Sequence, residues 1–206
     1  MKEWRTGNTT QKLLHEFKLR LRAASGGIAL SAQPQELKID AVCFLQGGLL
    51  QARIAIELLF FALLSSRRPG EVAKLGQQWS NDHKPSSIHK KLQKAGISYW
   101  PERVAIGPGG PRIHTAAKLT DTITASEVIG FYGKLNDLLH AKRQVAVGET
   151  TLDETEWISS RIKDIQVQTE CFIVYSEGRA THLASMHWEN ENAPLLFPLK
   201  LKATEA

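Results

Sequence analysis

Cysteine is scarce in this chain: of 206 residues, only Cys43 and Cys171 are cysteines. Both sit in apolar surroundings and at no spacing used for metal ligation, which argues against a disulfide framework or a metal centre. Two buried thiols in a reducing compartment are expected instead. Long hydrophobic runs are lacking as well. The longest, Ile54 to Leu64, falls short of the ~18 uninterrupted apolar residues of a membrane span and is broken by Glu57. The amino-terminal Met-Lys-Glu-Trp-Arg-Thr-Gly-Asn has no apolar stretch of the secretory kind, so the expectation is a cytoplasmic protein without a membrane partner. A P-loop, a dinucleotide glycine fingerprint and a Gly-x-Ser-x-Gly elbow are all missing, as are internal repeats and low-complexity tracts, and no cofactor is expected. What remains is 42% hydrophobic and 23% charged. That balance suits one soluble domain with a sizeable core and excludes collagen-like, coiled-coil and disordered chains.

The net charge of +5 is modest, but its distribution is uneven. Residues 84–118 hold seven Lys and Arg against one Glu, and residues 1–24 hold six against two acids, whereas 119–178 hold five against ten. Two basic segments thus flank a neutral core helix. Such asymmetry marks either a polyanion-binding face or neighbouring segments whose charges cancel.

Helical periodicity dominates the pattern. Leu13, Leu14, Phe17 and Leu21 recur at helical spacing over 9–24, with Thr9 or Thr10 as the cap and Gly26-Gly27 after the end. The segment from about Leu37 to Ser66 is apolar nearly all round, as a central helix of an all-α domain should be. Gly47-Gly48 inside it predicts a kink or a close helix contact. Arg53 and Glu57, four apart, should pair or line a site. Short helices are predicted over 71–79 and 87–95, and the Pro- and Gly-rich stretch 97–118 reads as an irregular loop. Thr124-Ala-Ser-Glu127 is a capping box opening a helix to about Arg143, with an apolar stripe of Val128, Phe131, Leu135, Leu138 and Leu139. Thr151-Leu-Asp-Glu154 opens another, in which Ile158, Ile162, Ile165, Phe172 and Tyr175 recur until Gly178. The period then changes, and His182–Trp188 with Leu195–Leu201 reads as a terminal β-hairpin around a turn-rich Glu189–Pro194. The fold expected is mainly α, a bundle of five or six helices. Residues 1–178 would form the helical domain, with 179–206 as a hairpin packed on it because a lone hairpin is not stable.

The most informative stretch for chemistry is Phe131-Tyr-Gly-Lys-Leu-Asn-Asp-Leu-Leu-His-Ala-Lys-Arg143. At 100° per residue, Asn136 lies about 40° from His140, Asp137 and Arg143 about 60°, and Tyr132 about 80°. Lys134 is about 120° away but has a long stem that can reach His140. Either this is a polar site or it is the solvent face of an amphipathic helix. A second group, Trp79, Tyr99 and Trp100 among Lys84, Lys90, Lys91, Lys94 and Arg103, with Arg112 further along, can stack bases beside a cationic track. The same aromatics can equally be core. His182, His187 and Glu189 make a poor metal site, since residues five apart on a strand point to opposite faces.

The order Arg53-Ile-Ala-Ile-Glu57, then Ile88-His-Lys-Lys-Leu92, Tyr99-Trp-Pro101 and Phe131-Tyr-Gly-Lys-Leu-Asn-Asp-Leu-Leu-His140, over roughly residues 35–178, resembles bacterial proteins related to the HEPN superfamily. The resemblance implies a helical homodimer, often a metal-independent ribonuclease of toxin–antitoxin or antiphage systems. Its signature is an Arg four to six residues before a His, and here the residue six before His140 is Lys134. The implied chemistry has His140 as general acid or base on a ribose 2′-hydroxyl and a 5′-oxygen, with a cation stabilising the transition state. Lys134 is a point charge without the fork of Arg, so Arg143 or Arg53 would have to compensate. Asp137 would orient His140, and Asn136 would stand beside it. The alternative is a non-catalytic interaction module for dimerisation or a cognate protein partner, with a degenerate motif.

Overall fold

The structure is a computed structural model and describes residues 3–33, 38–66, 84–105, 117–140, 152–176 and 179–198. Its helices are α1 (Glu3–Ser31), α2 (Lys38–Ser65), α3 (Pro85–Lys94), α4 (Ala125–Leu139) and α5 (Leu152–Gln168). Its strands are β1 (Glu102–Ala105), β2 (Ala117–Lys118), β3 (Cys171–Ser176), β4 (Arg179–Ser185) and β5 (Leu195–Pro198). The fold is mainly α, as the periodicity predicts. The helix expected over 71–79, Trp79, and the basic residues Arg112 and Arg143 lie outside the described residues.

α1 and α2 form an antiparallel pair: Thr10 Oγ1 meets Ser65 Oγ at 3.0 Å at one end, and Gly27 meets Gly48 towards the other. α1 runs through Gly26-Gly27 instead of stopping before it. The reason is packing. A Cβ on Gly27 would lie 3.0 Å from the Phe44 carbonyl oxygen and 3.1 Å from Gly48 Cα, and one on Gly48 would lie 2.9 Å from Ile28 Cγ1. The glycines therefore let two backbones touch, the close contact expected at Gly48, and tertiary packing outweighs their weak helix propensity. Leu14, Phe17, Leu21, Ala24 and Ile28 of α1 are buried in one core with Leu49, Ala52, Ile56, Leu59, Phe60 and Leu63 of α2. That core also takes in Val128, Phe131, Leu135 and Leu138 of α4 and Ile158, Ile162 and Ile165 of α5.

α2 is not buried all round. Ile39, Phe44 and Leu50 are exposed, and so is Cys43, so only Cys171 is a buried thiol. By length and composition Ile39–Ser65 is also apolar enough to cross a membrane, although Asp40, Arg53 and Glu57 keep it from being an uninterrupted apolar run. Of its most apolar 18-residue window 56% is buried within the fold, as in the core helix of a bundle.

Two further expectations change. The helix opened near residue 151 ends at Gln168 instead of reaching Gly178, and Phe172 and Tyr175 belong to β3. The run Cys-Phe-Ile-Val-Tyr is rich in β-branched and aromatic residues, and pairing on both edges, with β1 and β4, decides in favour of a strand. Stretch 97–118 is likewise not wholly irregular, since β1 and β2 lie in it. The expected hairpin exists as β4 and β5, but it is the end of a five-stranded antiparallel sheet, order β2-β1-β3-β4-β5, that begins within the segment assigned to the helical domain. Phe172, Val174, Ala184 and Met186 join the helical core. Val104, Cys171 and Leu183 form a separate small cluster, with Ile173 and Phe197 packed on it.

Candidate functional site

α4 begins as its capping box dictates. Thr124 N–H donates to Glu127 Oε2 at 2.8 Å and Glu127 N–H to Thr124 Oγ1 at 3.3 Å. These bonds hold the Glu127 carboxyl below its usual range. Next to the buried stripe, Tyr132 turns toward α2 and donates its hydroxyl to Glu57 Oε1 at 2.7 Å. Arg53 pairs with Glu57 at 3.3 Å and lies over the Tyr132 ring, 5.9 Å from its centroid. Burial and the Glu57 bond push the Tyr132 hydroxyl up, while bonds with Arg53 and Asn136 oppose the rise. Arg53, Glu57, Tyr132 and Asn136 thus form one polar seam between α2 and α4.

The rest of the predicted constellation goes elsewhere. α4 ends at Leu139, and His140 is its C-cap, with extended backbone (φ −70°, ψ 135°) and its N–H bonded to the Asn136 carbonyl at 3.1 Å. Angular spacing along a helix therefore does not govern His140. His140 and Asp137 are exposed. Lys134 is drawn to α5: its ammonium lies 3.7 Å from Glu154 Oε1 and 4.5 Å from the centroid of the Trp157 ring. Asn136 joins the α2 seam, Lys134 joins α5, and His140 stands at the helix end.

At the other end of α4 lies α3. Pro85 fits its first turn, where no N–H is needed, and Gly96 closes it with φ +65°, bonding back to the Gln93 carbonyl. Pro85, Ile88 and Leu92 are buried, and the helix contains no acidic residue. Lys84, Lys90 and Lys94 are exposed and Lys91 is half-buried. Beside them runs a shallow groove of about 300 Å³, lined by His89, Gln93, Tyr99 and Trp100 from one side and Thr124 and Ser126 from the other. Tyr99 and Trp100 are anchored in the core against Phe60, at 6.0 and 6.1 Å between centroids. The Trp100 indole donates to the Ile123 carbonyl at 3.0 Å, and His89 Nδ1 is hydrogen-bonded to the Tyr99 hydroxyl. Burial lowers the His89 pKa and raises that of Tyr99. The aromatics are thus both core and wall of the groove.

Arg103 does not join the lysines. It lies on β1 and lines a second cleft of about 300 Å³ with Glu170, Cys171, Ser185, His187 and Glu189. There Ser185 Oγ is 3.2 Å from His187 Nε2, and His187 Nδ1 is 3.5 Å from Glu189 Oε1. Sequence reasoning weighed His187 and Glu189 only as metal ligands. The signal it passed over is the closeness of Ser185, His187 and Glu189 in the chain; β4 ends at Ser185, and the turn that follows, with His187 at φ +47°, brings the three side chains together. Among the described residues no group of three or more His, Cys, Asp or Glu is placed to hold a metal ion.

Comparison of the chain with protein-family models, with curated proteins and with solved structures gives no significant match.

Proposed function

We propose that this is a HEPN-like, RNA-directed protein whose binding face is α3 with the adjoining aromatic groove. One observation carries the reading: a helix with four lysines at or beside it and no acid presents Lys84, Lys90 and Lys94 to solvent next to a groove walled by His89, Tyr99 and Trp100. Cations that follow a phosphate backbone, next to aromatic edges on which bases stack, are what single-stranded nucleic acid requires. The test is fluorescence anisotropy of a labelled single-stranded RNA across a salt series. Wild type should bind with a steep salt dependence, and the Lys90→Ala, Lys91→Ala, Lys94→Ala triple variant should lose about a hundredfold in affinity and about two units of log–log salt slope. Unchanged affinity in the folded triple variant would overturn the reading.

Cleavage is assigned to the opposite end of α4, with exposed His140 as the general acid or base. With Lys134 engaged by Glu154 and Trp157, the transition-state cation on that side is Arg53, held near Asn136 through Tyr132. Incubation of mixed RNA in EDTA with wild type and with His140→Ala tests this assignment. Cleavage by wild type alone, leaving 2′,3′-cyclic phosphates, is the expected result. No cleavage by either would leave RNA binding as the whole function. A second reading, an interaction module that dimerises or binds a protein partner, is favoured by exposed Ile39, Phe44 and Leu50 on α2 and Leu19 and Leu30 on α1. Light scattering of wild type and of Phe44→Lys separates it, since a dimer built on that face should become a monomer in the variant.

A further inference from the structure

The cleft at the ends of β1, β3 and β4 lies apart from the proposed RNA-binding face, and the loop that forms one wall of it is tied to α1. His187 has φ +47°, in the left-handed region that non-glycine residues rarely enter. Strain of that kind persists only where the surroundings over-determine it. Here they do. Lys18, fully buried in α1, donates from Nζ to the His187 carbonyl at 2.6 Å and to the Asn192 carbonyl at 3.0 Å. Two turns before Lys18, Gln11 Nε2 donates to the Pro194 carbonyl at 2.8 Å, and the adjacent Phe17 meets the Trp188 ring edge-on at 5.7 Å. Helix α1 therefore fixes the loop after β4, and the loop sets the His187 ring between Ser185 and Glu189.

We propose that Ser185, His187 and Glu189 form a nucleophilic-serine site acting on small neutral or cationic esters. In the tautomer that carries its proton on Nδ1, beside Glu189, Nε2 of the neutral imidazole is the acceptor for the Ser185 hydroxyl. In the first step the Ser185 Oγ–carbon bond forms and the proton passes to Nε2. The ester C–O bond then breaks, and the alcohol leaves with that proton. Water attacks the acyl-serine by the same route, gives up a proton to His187 and releases the carboxylic acid, which restores Ser185. Water is the only co-reactant. Cys171, paired with Ser185 across the strands, is no rival nucleophile, because burial pushes its thiol up to about 11 and keeps it protonated. The size of the cleft, about 300 Å³, suits a small ligand, and in its wall the two carboxylates of Glu170 and Glu189 outnumber the one guanidinium, Arg103, which disfavours an anionic ligand.

The test is covalent labelling of the full chain with a fluorophosphonate probe, with the adduct located by mass spectrometry. Attack by Ser185 forms an O–P bond and expels fluoride, so the adduct should map to Ser185 in wild type and be lost in Ser185→Ala. His187→Asn and His187→Gly both accept a positive φ and should keep the wild-type melting temperature while slowing labelling at least a hundredfold. No adduct on folded wild type, or labelling at Ser185 at an unchanged rate in the folded His187 variants, would overturn the proposal. If Ser185→Ala does not fold, the wild-type adduct site and the two His187 variants decide the matter without it.

Discussion

The two ends of α4 differ in kind. At its N-terminal end, α3, a helix with lysines and no acid of its own, lies beside the aromatic groove. At its C-terminal end, roughly 20 Å away for a 15-residue helix, the ionisable residues disperse: Lys134 to α5, Asn136 to the α2 seam, His140 and Asp137 to solvent. Residues that are neighbours in a motif converge only where backbone and partners hold them together. The proposed RNA affinity belongs to the first end, and any chemistry at the second depends on what approaches His140 from outside its own helix.

The largest expected effect lies away from both ends. Lys18→Met should cost about 3 kcal/mol in urea unfolding, because two loop carbonyls lose their buried donor. RNA affinity should stay within twofold, and a joint loss of stability and affinity would tie the sheet to the binding face. Next, Gly48→Ala should cost about 2 kcal/mol, since the added methyl meets Ile28 and the α1 backbone. A stability unchanged to within 0.5 kcal/mol would show that α1 and α2 part easily there. His140→Ala should change stability by less than about 0.5 kcal/mol and leave RNA affinity within twofold, because His140 is exposed and lies apart from the proposed binding face. The smallest effect is on pH. The Thr124 bonds lower the Glu127 carboxyl, so their stabilisation is complete above about pH 4.5 and is lost as pH falls through the lowered folded value. Acid unfolding of Glu127→Gln should be flatter in that window than wild type, and coincident curves would show that the capping box contributes nothing there.

Much of this fold is legible in the sequence, because periodic burial and capping act locally. The stripe Val128, Phe131, Leu135 and Leu138 and the box Thr124/Glu127 appear as the residues dictate. Other features depend on distant partners. Nothing local shows that Gly27 lies against Gly48, so the double glycine reads as a stop when it is a contact. Phe172 and Tyr175 fit a helical period, and only the neighbouring strands β1 and β4 make them part of a sheet. The candidate site divides in the same way. The lysines of α3 are evident from composition, whereas the destination of Lys134 depends on Trp157 and Glu154, twenty or more residues away. Lys18 shows the limit most clearly: it reads as one of the six cations of residues 1–24 and is instead fully buried, its ammonium satisfied by carbonyls near the far end of the chain.

The most direct measurement is ultraviolet crosslinking of the protein to single-stranded RNA, with the crosslinked peptides identified by mass spectrometry. Crosslinks within residues 84–105, at Trp100 and the lysines of α3 above all, are the result this account predicts. Crosslinks confined to residues 132–140, with none in 84–105, would contradict it and move the RNA to the other end of α4.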